Sequence, residues 1–327
     1  MKNLRILTIA SVMFALVGCF AEDYSFCPPV DPTNVRLVVT TDYEKETATR
    51  GAAEIGWYRD QIDAVTVFVF DGAGKYVTSW EGGAYTLGVD YEVPLTLPEG
   101  ETYHLVAWTN RCRDEYDLSH WGDALNGELT MDELTMEMNL PASRIMRSDI
   151  PHRHHGTLTL DAAATRATET HEIVISPHTY KVNFILRGYL PMNNKFEAGV
   201  TDRNTHHTFA CSHVAGQDEY RHVRTLSSTD GTRAASEMSA SMILLQIGDD
   251  TGTAFDITDT TTGETVYEGD LLETIQNHYD LTDKQLANML DKAYEYDIIL
   301  TYTGLGIDVE VSVPTWKDED VRPGWFD

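Results

Sequence analysis

The chain of 327 residues carries 52 Asp and Glu against 24 Lys and Arg, a formal net charge of −28. A surface this acidic repels phosphate backbones and anionic headgroups, which excludes nucleic acid as a partner and a polybasic patch as a membrane anchor. A hydrophobic content of 42 % is enough for ordinary cores, and the length suggests about two domains of usual size.

The chain opens with Lys2 and Arg5, then an apolar run from Ile6 that ends in Leu16-Val17-Gly18-Cys19. The run has the length of a signal h-region, about 7–15 residues, and falls short of the roughly 20 needed to span a bilayer. Small Gly18 before Cys19 matches the lipobox of bacterial lipoproteins, in which signal peptidase cuts ahead of a thioether-lipidated cysteine. An ordinary secretory signal is the alternative, but no strong A-x-A-like site competes. Residues 1–18 are thus expected to be removed and Cys19 to hold the mature chain at a membrane. Several acyl chains on one cysteine meet the need for more than one lipid. Residues 19–34 then form a tether stiffened by Pro28, Pro29 and Pro32, with Glu22 and Asp23 close behind the lipid.

Beyond Cys19, three cysteines remain: Cys27, Cys112 and Cys211. Export permits a disulfide, but three thiols cannot all pair within one chain. If a bridge forms, Cys27 with Cys112 is the expected pair, since both lie near the ends of predicted strands in the first half. No C-x-x-C supports redox chemistry or a zinc ribbon.

Strand patterns follow at short intervals. They fall at Val35–Val39, Val65–Phe70 closed by Asp71-Gly72, Tyr76–Trp80, Tyr91–Leu97 and Tyr103–Trp108. Gly, Pro and Asp turns between such runs predict a β-sandwich. Residues 111–150 read as a polar, Met-rich excursion with one helical turn around Asp132–Met138, and His154–Leu160 returns to strand. The small, polar run 162–168 is the expected boundary, giving one domain over 35–164 and a second over 165–327. The second opens at His171–Ile175 and Tyr180–Leu186. Residues 198–240 read as loop, and Ser241–Ile247, Ala254–Ile257 and Thr265–Tyr267 as strands. Thr282-Asp283-Lys284-Gln285 fits a capping box ahead of Leu286, Met289 and Leu290, which predicts a short helix. Tyr296–Tyr302 and Ile307–Val313 form the last hairpin, with Ile307, Val309, Val311 and Val313 on one face.

Chemistry finds little support. His152, His154 and His155 stand together, but Arg153 among them opposes a cation and no nearby acid completes a ligand set. His206, His207 and His213 are weaker still. His171-Glu172 lacks the second histidine of H-E-x-x-H, because Ile175 stands there. No G-x-S-x-G, Walker A or G-x-G-x-x-G pattern occurs. Trp80, Tyr91, Trp108 and Trp121 suit a sugar site, although strand aromatics are more often core residues. The expectation is no enzyme, no cofactor, no metal and no catalytic residue.

The lipobox, the Cys27-Pro28-Pro29 tether, Val67-Phe68-Val69-Phe70-Asp71-Gly72 and the run from Leu97-Pro98-Glu99-Gly100 to Leu105-Val106-Ala107-Trp108 resemble fimbrillin-associated anchor subunits of Bacteroidetes-type fimbriae. The likeness covers most of residues 19–110; beyond that it rests on the β pattern and on Val313-Pro314-Thr315-Trp316. It implies an all-β fold of two tandem transthyretin-like β-sandwich domains with one or two short helices. It also implies a surface-exposed lipoprotein of the outer membrane, held by acylated Cys19 at the base of a fimbrium. Its partners would be shaft subunits, joined by strand donation. Shaft subunits of that family lose their lipidated N-terminus when a protease cuts after an arginine, and Arg50-Gly51 offers such a site. Cleavage there would make this chain a shaft or tip subunit or an adhesin; the Cys-Pro-Pro tether favours the anchor. A surface glycan-binding lipoprotein is the third reading.

Overall fold

The computed structural model describes residues 32–41, 62–85, 91–110, 116–162, 169–188, 190–191, 193–228, 237–248, 251–303 and 306–314. Over these the chain is mainly β, as the turn-punctuated strand pattern predicts. The first sheet runs in the order β3 (Tyr76–Gly82), β2 (Val65–Asp71), β5 (Thr102–Thr109), β9 (His154–Asp161), β10 (Glu169–Pro177), β1 (Pro32–Thr41) and β4 (Tyr91–Pro98). Strands β9 and β10 meet through Ser176↔His155 and Pro177↔His154, and the sheet folds over at that corner. The two resulting layers enclose one core. Val65, Val67, Val69, Leu105 and Ala107 face Val39, Val93, Leu95, Leu97, Ile173 and Ile175 across it.

Two five-stranded sheets build the C-terminal half. One runs β15 (Ser227–Ser228), β16 (Glu237–Leu245), β11 (Thr179–Gly188), β19 (Glu295–Tyr302) and β20 (Ile307–Ser312). The other runs β18 (Glu264–Asp270), β17 (Ala254–Asp259), β12 (Phe196–Asp202), β14 (Tyr220–Thr225) and β8 (Ile145–Met146). Their inward residues, among them Val182, Phe184, Val200, Phe255, Ile298 and Leu300, share a second core. Helices α2 (Leu271–Tyr279) and α3 (Asp283–Leu290) close it with Leu271, Ile275, Leu286 and Met289. The α3 start is the predicted capping box: Thr282 Oγ1 accepts from the Gln285 N–H, and Gln285 Oε1 accepts from the Thr282 N–H at 3.0 Å.

A third, small sheet of β13 (His206–Thr208), β7 (Thr135–Met138) and β6 (Tyr116–Ser119) covers the outer face of β2 and β5. Phe68, Phe70, Val106 and Trp108 meet Tyr116, Leu118, Met136, Met138, Phe209, Tyr220 and Leu245 in a third core that joins the two halves. Strand β2 is therefore buried on both faces, which is why its sequence is a continuous apolar run rather than an alternation. The excursion 116–150, which also carries helix α1 (Trp121–Leu125), is the layer that joins them.

Several expectations are corrected. Residues 169–177 do not open the second half: β10 pairs in parallel with β1 and belongs to the first sheet. Parallel pairing needs a long crossover, so nothing local in the sequence announces it. The stretch 198–240 is not loop throughout, because it holds the end of β12, all of β13, β14 and β15, and the start of β16. The turn expected around Asp132–Met138 is a 3-10 turn over Met131–Glu133, followed by strand β7. Helices α1 and α2 were not predicted; α2 starts at Asp270, whose carboxylate accepts from the Glu273 N–H at 2.8 Å.

Candidate subunit interface

Strand β1 is an interior strand. It pairs in parallel with β10 from Val35↔Glu169 to Thr41↔Ile175, and antiparallel with β4 from Pro32↔Pro98 to Val39↔Tyr91. The Val39 side chain is 1 % exposed in the first core. Arg36 and Glu92 form an exposed ion pair across β1 and β4, which contributes little to stability. The segment Pro32–Thr41 is thus built into the sheet and is not merely attached to it.

The outer edges differ in what they offer a further strand. Strand β4 carries Pro94 and Pro98, which have no N–H to donate to a ladder. Strand β18 has a register irregularity at Ile257/Thr258 of its neighbour and carries Glu264, Glu268 and Asp270. Such devices discourage pairing. Strands β3 and β20 contain no proline; β3 exposes Val77, and β20 exposes Asp308 and Glu310 beside partly buried Ile307 and Val309.

The seam between the halves holds the histidines that the sequence singled out. Arg153 is 1 % exposed, with its guanidinium carbon 4.3 Å from the centre of the Trp108 ring and 4.2 Å from that of Tyr116. It donates to the Met136 sulfur, and its Nε has no hydrogen-bond partner among the described residues. His155 lies 4.4 Å from Trp108, ring to ring, and its Nε2 is 2.9 Å from the Phe209 carbonyl oxygen. His178 stands edge-on to His207 at 4.2 Å, and its Nδ1 is 3.0 Å from both Gln246 Oε1 and Cys211 Sγ. Burial pushes His155 down to about 4, and it holds His178 and His207 well below the usual histidine value, with the Arg153 charge acting in the same direction. Burial also pushes the Cys211 thiol up to about 12, so this free cysteine is a poor nucleophile. No group of three metal-ligating side chains converges among the described residues.

The aromatic residues separate by place. Trp108 is wholly buried, and Trp121 packs edge-on against Phe68 and Tyr76 in the third core. Trp80 meets Tyr91 edge-on over the first core, and the Tyr91 hydroxyl donates to the Gly83 carbonyl at 2.6 Å. They do not converge on a common groove. His213 stands 6.1 Å from His207, and His206 pairs with Glu137 at 3.2 Å. Sequence reasoning missed Asp202, which is fully buried at the end of β12 and raised to about 6 by that burial. Cys19, Cys27, Arg50 and Cys112 lie outside the described residues.

The family model of fimbrillin-A associated anchor proteins Mfa1 and Mfa2 matches residues 25–321. Comparison with curated proteins gives no match. Among solved structures, the chain is similar to a proposed polysaccharide-binding protein from Bacteroides thetaiotaomicron, with TM-score 0.65 and 20 % identity over 88 % of this chain and 99 % of that one. A proposed adhesin from Bacteroides ovatus gives TM-score 0.63 and 18 % identity over 87 % and 95 %. The fimbrial anchor protein Mfa2 from Porphyromonas gingivalis gives TM-score 0.60 and 16 % identity over 87 % and 98 %. At these identities the likeness is one of fold.

Proposed function

Because the chain belongs to the family of fimbrillin-A associated anchor proteins, we propose that it holds the base of a fimbrium to the outer membrane through lipid on Cys19. In this reading it is a structural, non-enzymatic, surface-exposed subunit. Its first and second halves act as two tandem transthyretin-like sandwiches, and its partners are shaft subunits that join it by strand donation. The observation that carries the reading is the place of β1, an interior strand directly downstream of the tether. Pull on the lipidated end is then borne by two ladders of main-chain hydrogen bonds and by the apolar contacts of Val39, rather than by a loose arm. Strands β3 and β20 are the edges best suited to receive a partner strand, and Cys27 with Cys112 is the proposed disulfide pair.

The second reading is a shaft or tip subunit or an adhesin matured by cleavage after Arg50. What favours it is that Arg50 falls between β1 and β2, so a cut there would sever β1 from the rest of the chain, and its later displacement would open an interior position for a partner strand. Intact-mass and N-terminal analysis of protein from outer membranes and from sheared filaments tests both. A lipidated Cys19 in the membrane fraction, with Arg50-Gly51 uncut, is the expected outcome. A chain beginning at Gly51 in the filaments would overturn the anchor reading in favour of the second.

A further inference from the structure

The seam between the first sheet and the small sheet encloses one fixed positive charge and three imidazoles. Among the described residues Arg153 forms no ion pair, and its guanidinium is held between the rings of Trp108 and Tyr116. Its charge acts on His155, His178 and His207 alike, and among the described residues no carboxylate pairs with any of the three. His178 Nε2 and His207 Nδ1 are buried with no hydrogen-bond partner among the described residues. A proton added to either ring would create a donor without an acceptor, beside a like charge in a water-poor space.

Of the remaining groups around the seam, one carboxylate, Asp291, lines the cavity shared by His155 and Cys211. From the turn before β9 and from β9 itself come His152 and His154, both buried and held at about 4 and about 3. Asp149 and Lys181 act on His152 in opposite directions. From β13 and the following loop come His206, His213 and Cys211, and Glu137 on β7 is engaged with His206.

We propose that this seam is an acid-operated latch: protonation of His155, His178 and His207 around Arg153 parts the first sheet from the small sheet while the other two cores stay folded. Once the seam is open, water solvates the imidazolium groups, so opening takes up protons and becomes favourable as pH falls below the ordinary histidine value of about 6.5. Several protons taken up together make the transition steeper than that of a single group.

Hydrogen exchange of the full chain between pH 7.5 and pH 4.5, corrected for the intrinsic pH dependence of exchange, tests the latch. Protection is expected to fall at least tenfold over residues 135–138 and 206–209 while residues 182–186 and 255–257 keep theirs. Loss of protection everywhere at one pH, or unchanged protection at the seam down to pH 4.5, would overturn it. Arg153→Met keeps an unbranched side chain between the two rings and removes the charge, and it should move the opening midpoint to lower pH. A midpoint unmoved in a variant that is folded at pH 7.5 would count against the proposed role of the charge. If that variant does not fold, the wild-type exchange pattern decides the matter alone.

Discussion

A Cβ placed on Gly156 of β9 would stand 2.3 Å from the carbonyl oxygen of Val174 in β10. This is where the first sheet folds over, and the two strands approach closely because one of them has no side chain there. The atom in the way belongs to the backbone of an interior strand and cannot swing aside. Gly156→Ala is expected to cost about 3 kcal/mol, at the upper end for a single substitution. Urea unfolding measures it, and a loss below about 1 kcal/mol would mean that the corner is loosely packed.

Gly199 of β12 presents the contrasting case. Its missing Cβ leaves room for the Arg221 guanidinium, whose Nη2 would be 2.0 Å away, and which pairs with Asp256 at 2.6 Å. Here the obstacle is the end of a flexible side chain. Gly199→Ala should therefore displace Arg221, weaken its pairing with Asp256 and cost about 1 kcal/mol, the scale of a partly exposed ion pair. A double-mutant cycle with Arg221→Ala checks this, because the Gly199→Ala penalty should largely vanish once the guanidinium is gone.

Strand β14 also explains a gap in what the sequence reveals. Its residues Arg221 and Arg224 fall on opposite faces and pair with Asp256 and Asp149, so charged residues on both faces obscured the strand period. The strands legible in advance were those with a plain local signal. Val65–Asp71 reads as an unbroken apolar run, and Ile307–Ser312 as an alternation. The Thr282 box announced α3; α2 begins Asp270-Leu271-Leu272-Glu273, with Asp in place of the Ser or Thr of such a box, and is capped by the Asp270 carboxylate accepting from the Glu273 N–H. What could not be read were long-range relations. The parallel pairing of β1 with β10 and the burial of His155, His178 and His207 around Arg153 arise between segments far apart in the chain. The candidate histidines were visible as a cluster, but His178 joined them only in three dimensions.

His222 on β14 is fully buried, and neither of its ring nitrogens has a hydrogen-bond partner among the described residues. Burial pushes it down to about 4, with Arg224 acting in the same direction. The folded value lies below the unfolded one, so its neutral form contributes stability that is complete above about pH 6.5 and is lost as pH falls toward 4. Asp202 acts in the opposite sense: it is raised to about 6, and its contribution is lost as pH rises through that value. His222→Leu removes the buried imidazole and should be more stable than the wild type at pH 5 by about 1–2 kcal/mol, with a shallower slope of stability between pH 6.5 and 5. Parallel wild-type and variant slopes across that range would show that His222 is not the titrating group.

The interior position of β1 makes a prediction about how the N-terminal segment is held. With Val39 1 % exposed and main-chain ladders to β10 and β4, β1 should remain docked after the connector to β2 is cut. A chain with one engineered protease site in place of residues 48–52 is expected to keep its N-terminal fragment through native gel filtration after complete cleavage. Val39→Asp places a carboxylate in the first core without a counter-charge, a cost of several kcal/mol, on the order of 3–5. The nicked Val39→Asp protein should therefore release the fragment, whereas Val39→Ile should retain it. Release of the wild-type fragment would mean that the ladders of β1 are too weak to bear the load of an anchor. Retention by both variants would show that the backbone pairing holds β1 without help from the core.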